Sequence, residues 1–260
     1  MNTPSAEPTE GSTRFTRNVG RGIHRLQHAY VNCYLLEDES GVTVVDTALP
    51  HTWPLIRRAL RAIGRGPSDV AAVVLTHAHF DHLGFAARAQ KEWSVPVFAH
   101  PLETYIARHP YRYAHERSRL IYPLRHPGSI PVLGRMAAEG ALNVRGITDL
   151  ARMDPGHELD VPGRPRVVFT PGHTFGHCAL HLPESDALLT GDALVTLDPY
   201  TGRVGPQIVS GAATADSTAA LSSLAALEDT DARIVLPGHG QPWRLGIRAA
   251  VREARASGPS

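Results

Sequence analysis

The sequence predicts an α/β fold. Two observations carry that expectation. Short apolar runs of strand length, several rich in Val, alternate with longer segments whose apolar residues recur at helical spacing. In addition, one strand after another gives way to a Gly-containing turn that bears a His or an Asp. With 260 residues, 42% hydrophobic and 20% charged, the chain has a globular composition and enough length for a substantial core.

The elements follow in order. Residues 1–18 are polar, rich in Pro, Ser, Thr and Glu, and lack the apolar centre of a secretory signal; they read as a disordered tail. Tyr30 to Leu36 and Gly41 to Val45 read as a hairpin whose second strand ends at Asp46. Thr52 to Ile63 is helical, with Trp53, Leu55, Ile56, Leu60 and Ile63 apolar and Arg57, Arg58 and Arg61 on the other side; Gly64 to Pro67 stops it. Val70 to Leu75 is a buried strand. Phe85 to Trp93 is a helix, and Gly84 before it suggests close backbone packing against the ligand-bearing loop. Pro96 to Ala99 is a short strand.

Residues 101–152 then change character. Strand signals fade, prolines gather at 123–131, and Tyr105, Tyr111, Tyr113 and Tyr122 stand among many arginines. A segment this long is a helical insertion or lid rather than a plain connection. Most of its arginines and tyrosines suit a solvated face. Tyr105, Tyr111 and Arg112, with Tyr200 further on, are the candidates for holding a substrate carboxylate or carbonyl. Strands resume at His157 to Val161, Arg166 to Thr170, Cys178 to Leu182 and Ala187 to Thr190. Gln207 to Ala213 reads as loop. Thr214 to Leu227 is a helix capped by Asp216 or Thr214; Arg233 to Leu236 is a strand; Trp243 to Ala256 is a closing helix.

The chemistry concentrates in turns. His77, His79, Asp81 and His82 crowd the turn after the Val70 strand. Imidazole nitrogens and a carboxylate suit zinc and similar cations, and one ion would struggle to use all four side chains, so a pair of ions is expected. His173 lies in Thr-Pro-Gly-His, Asp192 in Thr-Gly-Asp and His239 in Pro-Gly-His-Gly, each after a strand. Asp46 is either a cap or an orienting partner for a ligand His. The formal charge of +1 shows no field directed at nucleic acid or an anionic membrane, and no run is long enough to span a bilayer. Cys33 and Cys178 form no Cys-x-x-Cys; two buried thiols in a reducing cytoplasm are the expectation.

The histidine and aspartate motifs from Asp46 to His239 resemble those of the metallo-β-lactamase superfamily. The resemblance implies an αββα sandwich, two mixed β-sheets packed face to face with helices outside, the metal site at one edge, and one domain over 19–260 with the lid inserted. It assigns His77, His79 and His173 to one metal, Asp81, His82 and His239 to the other, and Asp192 to both. His177 is left a loop or orienting contact. The cations implied are two divalent ions, Zn2+ first, with Fe or Mn as alternatives.

Asp192 resembles the glyoxalase II and lactonase branch rather than the β-lactamases, which generally carry Cys or Ser near that place. Ribonuclease Z shares the ligands, but no basic arm is present here. The acyl-homoserine lactonases carry a tyrosine near the bridging aspartate, whereas Tyr200 is farther along. The expected function is a dinuclear metal-dependent hydrolase in which a metal-bridging hydroxide attacks the carbonyl of a small ester, thioester or lactone, with Asp81 assisting the proton. β-Lactamase, phosphodiesterase and a biosynthetic acyl thioesterase or cyclase are the alternatives on the same site; a non-catalytic metal-binding protein is the different class. The partner expected is a small acyl substrate, with no nucleic acid and no membrane.

Overall fold

The computed structural model describes residues 13–119 and 122–260, so residues 1–12 of the expected tail and Leu120 and Ile121 of the expected lid lie outside the described residues. Two mixed sheets organise the chain. The larger holds β1 (Arg14–Gly20), β2 (Ile23–His28), β3 (Val31–Asp38), β4 (Gly41–Val45), β5 (Val70–Val74), β6 (Val97–Ala99) and β7 (Ala151–Arg152), side by side in that order. Strands β1 to β4 pair antiparallel; β5 to β7 extend the sheet in parallel. The second sheet holds β8 (Arg166–Phe169), β9 (Cys178–Leu182) and β10 (Ala187–Gly191). After a separate hairpin, β11 (Val195–Leu197) and β12 (Val204–Gln207), it is completed by β13 (Ile234–Pro237), which pairs parallel to β10.

Period-two alternation explains the layering. In β3, Cys33 and Leu35 face an outer layer with Trp53, Ile56 and Leu60 of α1 (Trp53–Ala62), whereas Tyr34 and Leu36 face inward. Val73 and Val74 of β5 divide in the same way. From the other sheet, Val167, Leu180, Leu189 and Leu236 meet that inward face and close a core between the sheets. Their neighbours Ala179, Leu188 and Val235 turn outward, toward the two helices near the end of the chain. Each sheet therefore has two apolar faces. Each needs a helix layer outside and a sheet inside, and this is the expected αββα sandwich.

The remaining helices are α2 (Phe80–Leu83), α3 (Ala86–Trp93), α4 (Thr104–Arg108), α5 (Tyr122–Arg125), α6 (Ser129–Met136), α7 (Ser217–Glu228) and α8 (Ile247–Ser257). Asp216 caps α7: its carboxylate accepts from Ala219 N–H at 2.9 Å. Helices α4 to α6 lie within the segment read as a lid. Its final residues, Ala151–Arg152, instead join the large sheet as β7 beside β6. Glu139 fastens the segment to the body, with its carboxylate 3.4 Å from both His28 and His51.

Several local readings change, among them the closing helix, which begins at Ile247 rather than Trp243. The expected tail reaches too far, because Arg14–Gly20 pairs with β2; its polar edge-strand sequence carries no readable alternation. The strand expected at His157 to Val161 reduces to a single bridge between Glu158 and Arg166. The loop expected from Gln207 begins one residue inside β12. Cys33 and Cys178 are free, buried thiols in different core layers.

Gly84 is required by a close approach, to the segment after β4 rather than to the ligand-bearing loop. A Cβ there would stand 2.1 Å from Ala48 O and 2.5 Å from the Leu49 backbone. Gly84→Ala is expected to destabilise the fold by about 1–3 kcal/mol through overpacking, read as a lower urea midpoint with an unchanged slope.

Candidate metal centre

Four chain segments deliver polar side chains to one end of the sandwich. The segment after β5 carries His77, His79, Asp81 and His82, the last two in α2. The turn between β8 and β9 carries His173 and His177, the end of β10 leads into Asp192, and the end of β13 leads into His239. All seven residues expected as ligands are buried together. They form three overlapping groups: His77, His79 and His173; His77, His82 and Asp192; and Asp81, His82 and His239. Within each group the candidate ligand atoms lie within 4.8 Å of one another. Asp192 stands between the triads, with Oδ2 3.5 Å from His173 Nε2 and 3.3 Å from His239 Nε2, and Oδ1 3.4 Å from His82 Nε2. Asp81 Oδ2 is 3.2 Å from His239 Nε2.

The donor set fits a divalent cation. Nε2 of His77, His79, His82 and His239 and Oδ1 of Asp192 are buried and have no hydrogen-bond partner. Buried polar atoms are nearly always paired, so five converging exceptions point to a ligand that accepts lone pairs.

Surrounding groups fix which ring nitrogen faces inward. His82 Nδ1 lies 2.9 Å from Asp46 Oδ2, and the same carboxylate accepts from Thr76 N–H and Oγ1 at 2.8 and 2.9 Å. Asp46 thus both caps the turn and holds the His82 ring. His239 Nδ1 donates to Tyr30 O at 2.8 Å. Thr214, one of the two expected helix caps, gives its proton to Val209 O and lies 3.4 Å from His173 Nδ1. His177 accepts Asp192 N–H on Nε2 at 3.0 Å and lies 2.8 Å from Thr170 Oγ1 through Nδ1, so it holds the Asp192 backbone. The loop of His239 is braced from the other sheet. Asn32 Nδ2 donates to Pro237 O and Gly240 O, Tyr34 Oη donates to Pro237 O, and Arg25 Nη2 donates to Gly240 O.

Electrostatics divides the histidines. Burial drives His77 and His173 well below the ordinary imidazole range, and takes His79 to about 4 and His177 to about 3. These rings are neutral at pH 7, the form that coordinates metal. Burial would do the same to His82 and His239, but the adjoining carboxylates outweigh it. Asp192 and Asp46 raise His82 to about 9, and Asp192 and Asp81 raise His239. Asp192 itself is held low by His239 and His82 against the opposing effect of burial.

The four substrate candidates separate. Tyr200 reaches the centre: its hydroxyl is 3.3 Å from that of Tyr113, whose ring lies 4.0 Å from the His79 ring. Tyr111 spends its hydroxyl on lid backbone, donating to Ala141 O and accepting from Val144 N–H, while its ring stacks on Phe80. Tyr105 is exposed and packs near His109, and Arg112 is exposed. Sequence reasoning passed over three residues. Tyr113 was one aromatic among many in the lid, and Arg119, with its guanidinium 4.6 Å from the Tyr113 ring, was one arginine among many. Glu103 had no signal beyond a carboxylate shortly after a strand, yet it is fully buried against the ligand loops.

Comparison with known proteins agrees with this geometry. The model of the family described as the metallo-beta-lactamase superfamily matches residues 28–239. A Bacillus subtilis protein named "Probable metallo-hydrolase YflN" is 25% identical over 249 residues, covering 86% of each chain. Among solved structures, the metallo-beta-lactamase family protein TTHA1429 of Thermus thermophilus aligns with a TM-score of 0.66 at 27% identity, over 91% of this chain and 79% of that one. TTHA1623, solved in a di-iron-bound form, aligns with a TM-score of 0.58 at 27% identity, over 84% and 92%.

Asp46→Asn is expected to weaken metal binding about 10- to 100-fold, the usual cost of losing a carboxylate that orients a ligand histidine. Competition against a chromogenic chelator measures it, and an unchanged affinity would show that Asp46 only caps the turn.

Proposed function

The chain belongs to the metallo-β-lactamase superfamily as a metallo-hydrolase, and on that premise we propose that it hydrolyses a small ester, thioester or lactone with two divalent cations, zinc the first choice. In this reading His77, His79 and His173 would hold one cation, Asp81, His82 and His239 would hold the other, and Asp192 stands where it could serve either. One observation carries it: the Asp192 carboxylate lies 3.3–3.5 Å from histidines of both triads. The di-iron form of TTHA1623 supports two-metal occupancy as a property of a similar fold.

Bound cations would supply Lewis acidity toward the scissile carbonyl and bring the pKa of a water toward neutrality. The chain's own groups do the rest. Asp81 is the proton acceptor. Burial would raise its carboxyl, but the His239 contact outweighs this and keeps it ionised, the form a proton acceptor must have. The Tyr113 ring lies against His79 and its hydroxyl pairs with that of Tyr200, and Tyr200 Oη is assigned to donate to the substrate carbonyl oxygen. Burial raises both phenols, so each keeps its proton at neutral pH. The lid segment over this mouth sets which acyl groups enter.

The test is a panel of lactones, thioesters, a chromogenic β-lactam and phosphodiesters, run with elemental analysis. The expected outcome is about two cations per chain and turnover of acyl substrates that a chelator abolishes and zinc restores. Turnover confined to the β-lactam or to phosphodiesters would replace this reading with one of those activities. Asp192→Ala is expected to lower the metal content and to cost at least about 100-fold in activity, the upper end of what removal of a mere orienting partner costs. A fully active variant would remove Asp192 from both metals.

A further inference from the structure

The carboxylate of Glu103 has no part in the chemistry above, yet it lies at the root of the lid and reaches two of the ligand-bearing loops. It ends the short turn Pro101–Glu103 that leads into α4, and its side chain is fully buried. Oε2 accepts from Ala78 N–H at 2.8 Å, and Ala78 sits between His77 and His79. Oε1 accepts from Gly176 N–H at 2.9 Å, in the turn that carries His173 and His177. These two loops are almost a hundred residues apart in sequence. They supply the three imidazoles of one triad and, through His177, the ring that holds the Asp192 backbone. Gly176 suits the contact: a Cβ there would stand 2.7 Å from Oε1 and push the carboxylate off its donor.

A filler would not need this chemistry. Burying a carboxylate is costly, and a neutral or apolar side chain would occupy the space at lower cost. What a carboxylate adds is two acceptor oxygens in a fixed plane, each able to make a charge-assisted bond to a backbone N–H. Such a clamp sets the spacing of the two peptide units and hence of the imidazoles they carry. We propose that Glu103 is a positioning residue that fixes the His77/His79 loop against the His173/His177 loop and so sets the coordination geometry of the first metal position. Because Glu103 belongs to the lid's first turn, the same contact ties that geometry to the lid.

The inference rests on the metal-centre reading above, and the experiment separates the two. Full-length wild type and Glu103→Gln are loaded with Co2+ and compared by visible absorption and by competition with a chelator. The amide keeps the size of the side chain but sets an N–H2 donor against one backbone donor, releasing one loop. The expected result is an altered Co2+ visible spectrum and an affinity about tenfold lower. A variant that loses thermal stability while keeping the wild-type spectrum and affinity overturns the proposal, because a purely structural role predicts that outcome. If Glu103→Gln does not fold, Glu103→Asp, which keeps the charge but shortens the reach, is read by the same two measurements with the same criteria. Wild type that takes up no Co2+ would instead defeat the metal-centre reading itself.

Discussion

Five buried polar atoms with no hydrogen-bond partner are the constraint around which this molecule is arranged. Four imidazole nitrogens and one carboxylate oxygen converge at the end of the sandwich without a hydrogen bond among them. Each such atom costs about 1–3 kcal/mol when left unsatisfied. A buried donor set of this kind fits a divalent cation. The rest of the site reads as support for that arrangement. Asp46, Tyr30 O and Thr214 occupy the far nitrogens of His82, His239 and His173, and His177 holds the peptide of Asp192.

The sandwich makes the convergence possible because every ligand segment leaves a strand end on the same side. β5, β10 and β13 place their C-terminal ends next to one another, and the tight turns that follow have no room to wander. Cross-sheet bonds hold the register. Cys178 N–H donates to Thr76 O, and Asn32 N–H donates to Gly238 O, so each sheet steadies a ligand loop of the other. Gly238 shows how close the packing is, since a Cβ there would stand 2.2 Å from Asp192 Oδ1.

The segment over the mouth is less regular, and its Ile106, Ala107, Val132, Met136, Val144 and Ile147 share the outer core layer with the body. Glu103 anchors its beginning and Glu139 its later part. Between them, Tyr113 lies on the His79 ring with the Arg119 guanidinium over its own ring, and Tyr200 arrives from the β11–β12 hairpin. These side chains come from separate stretches that share no periodicity. Nothing in the letters distinguishes Tyr113 from Tyr105 or Tyr111. Burial and ring contacts separate them only after folding.

The clustering of the seven His and Asp side chains, the sandwich and most strands and helices were legible in the sequence because their signals are local. A strand that ends in Gly-Asp or Pro-Gly-His displays its role within a few residues, and a continuous apolar run such as that of β5 marks a strand buried between two layers. Tertiary structure alone decided the remainder. The polar β1 becomes a strand only because β2 offers an edge, and β7 only because β6 does. Asp216 rather than Thr214 caps α7, because the helix begins at Ser217 and the Thr214 hydroxyl bonds Val209 O instead. Glu103 becomes a clamp because two loops distant in sequence present free N–H groups to it. The physical reason is common to all three: a hydrogen bond or a pairing partner far along the chain contributes nothing to local propensity, and it acts only when folding brings it within about 3 Å.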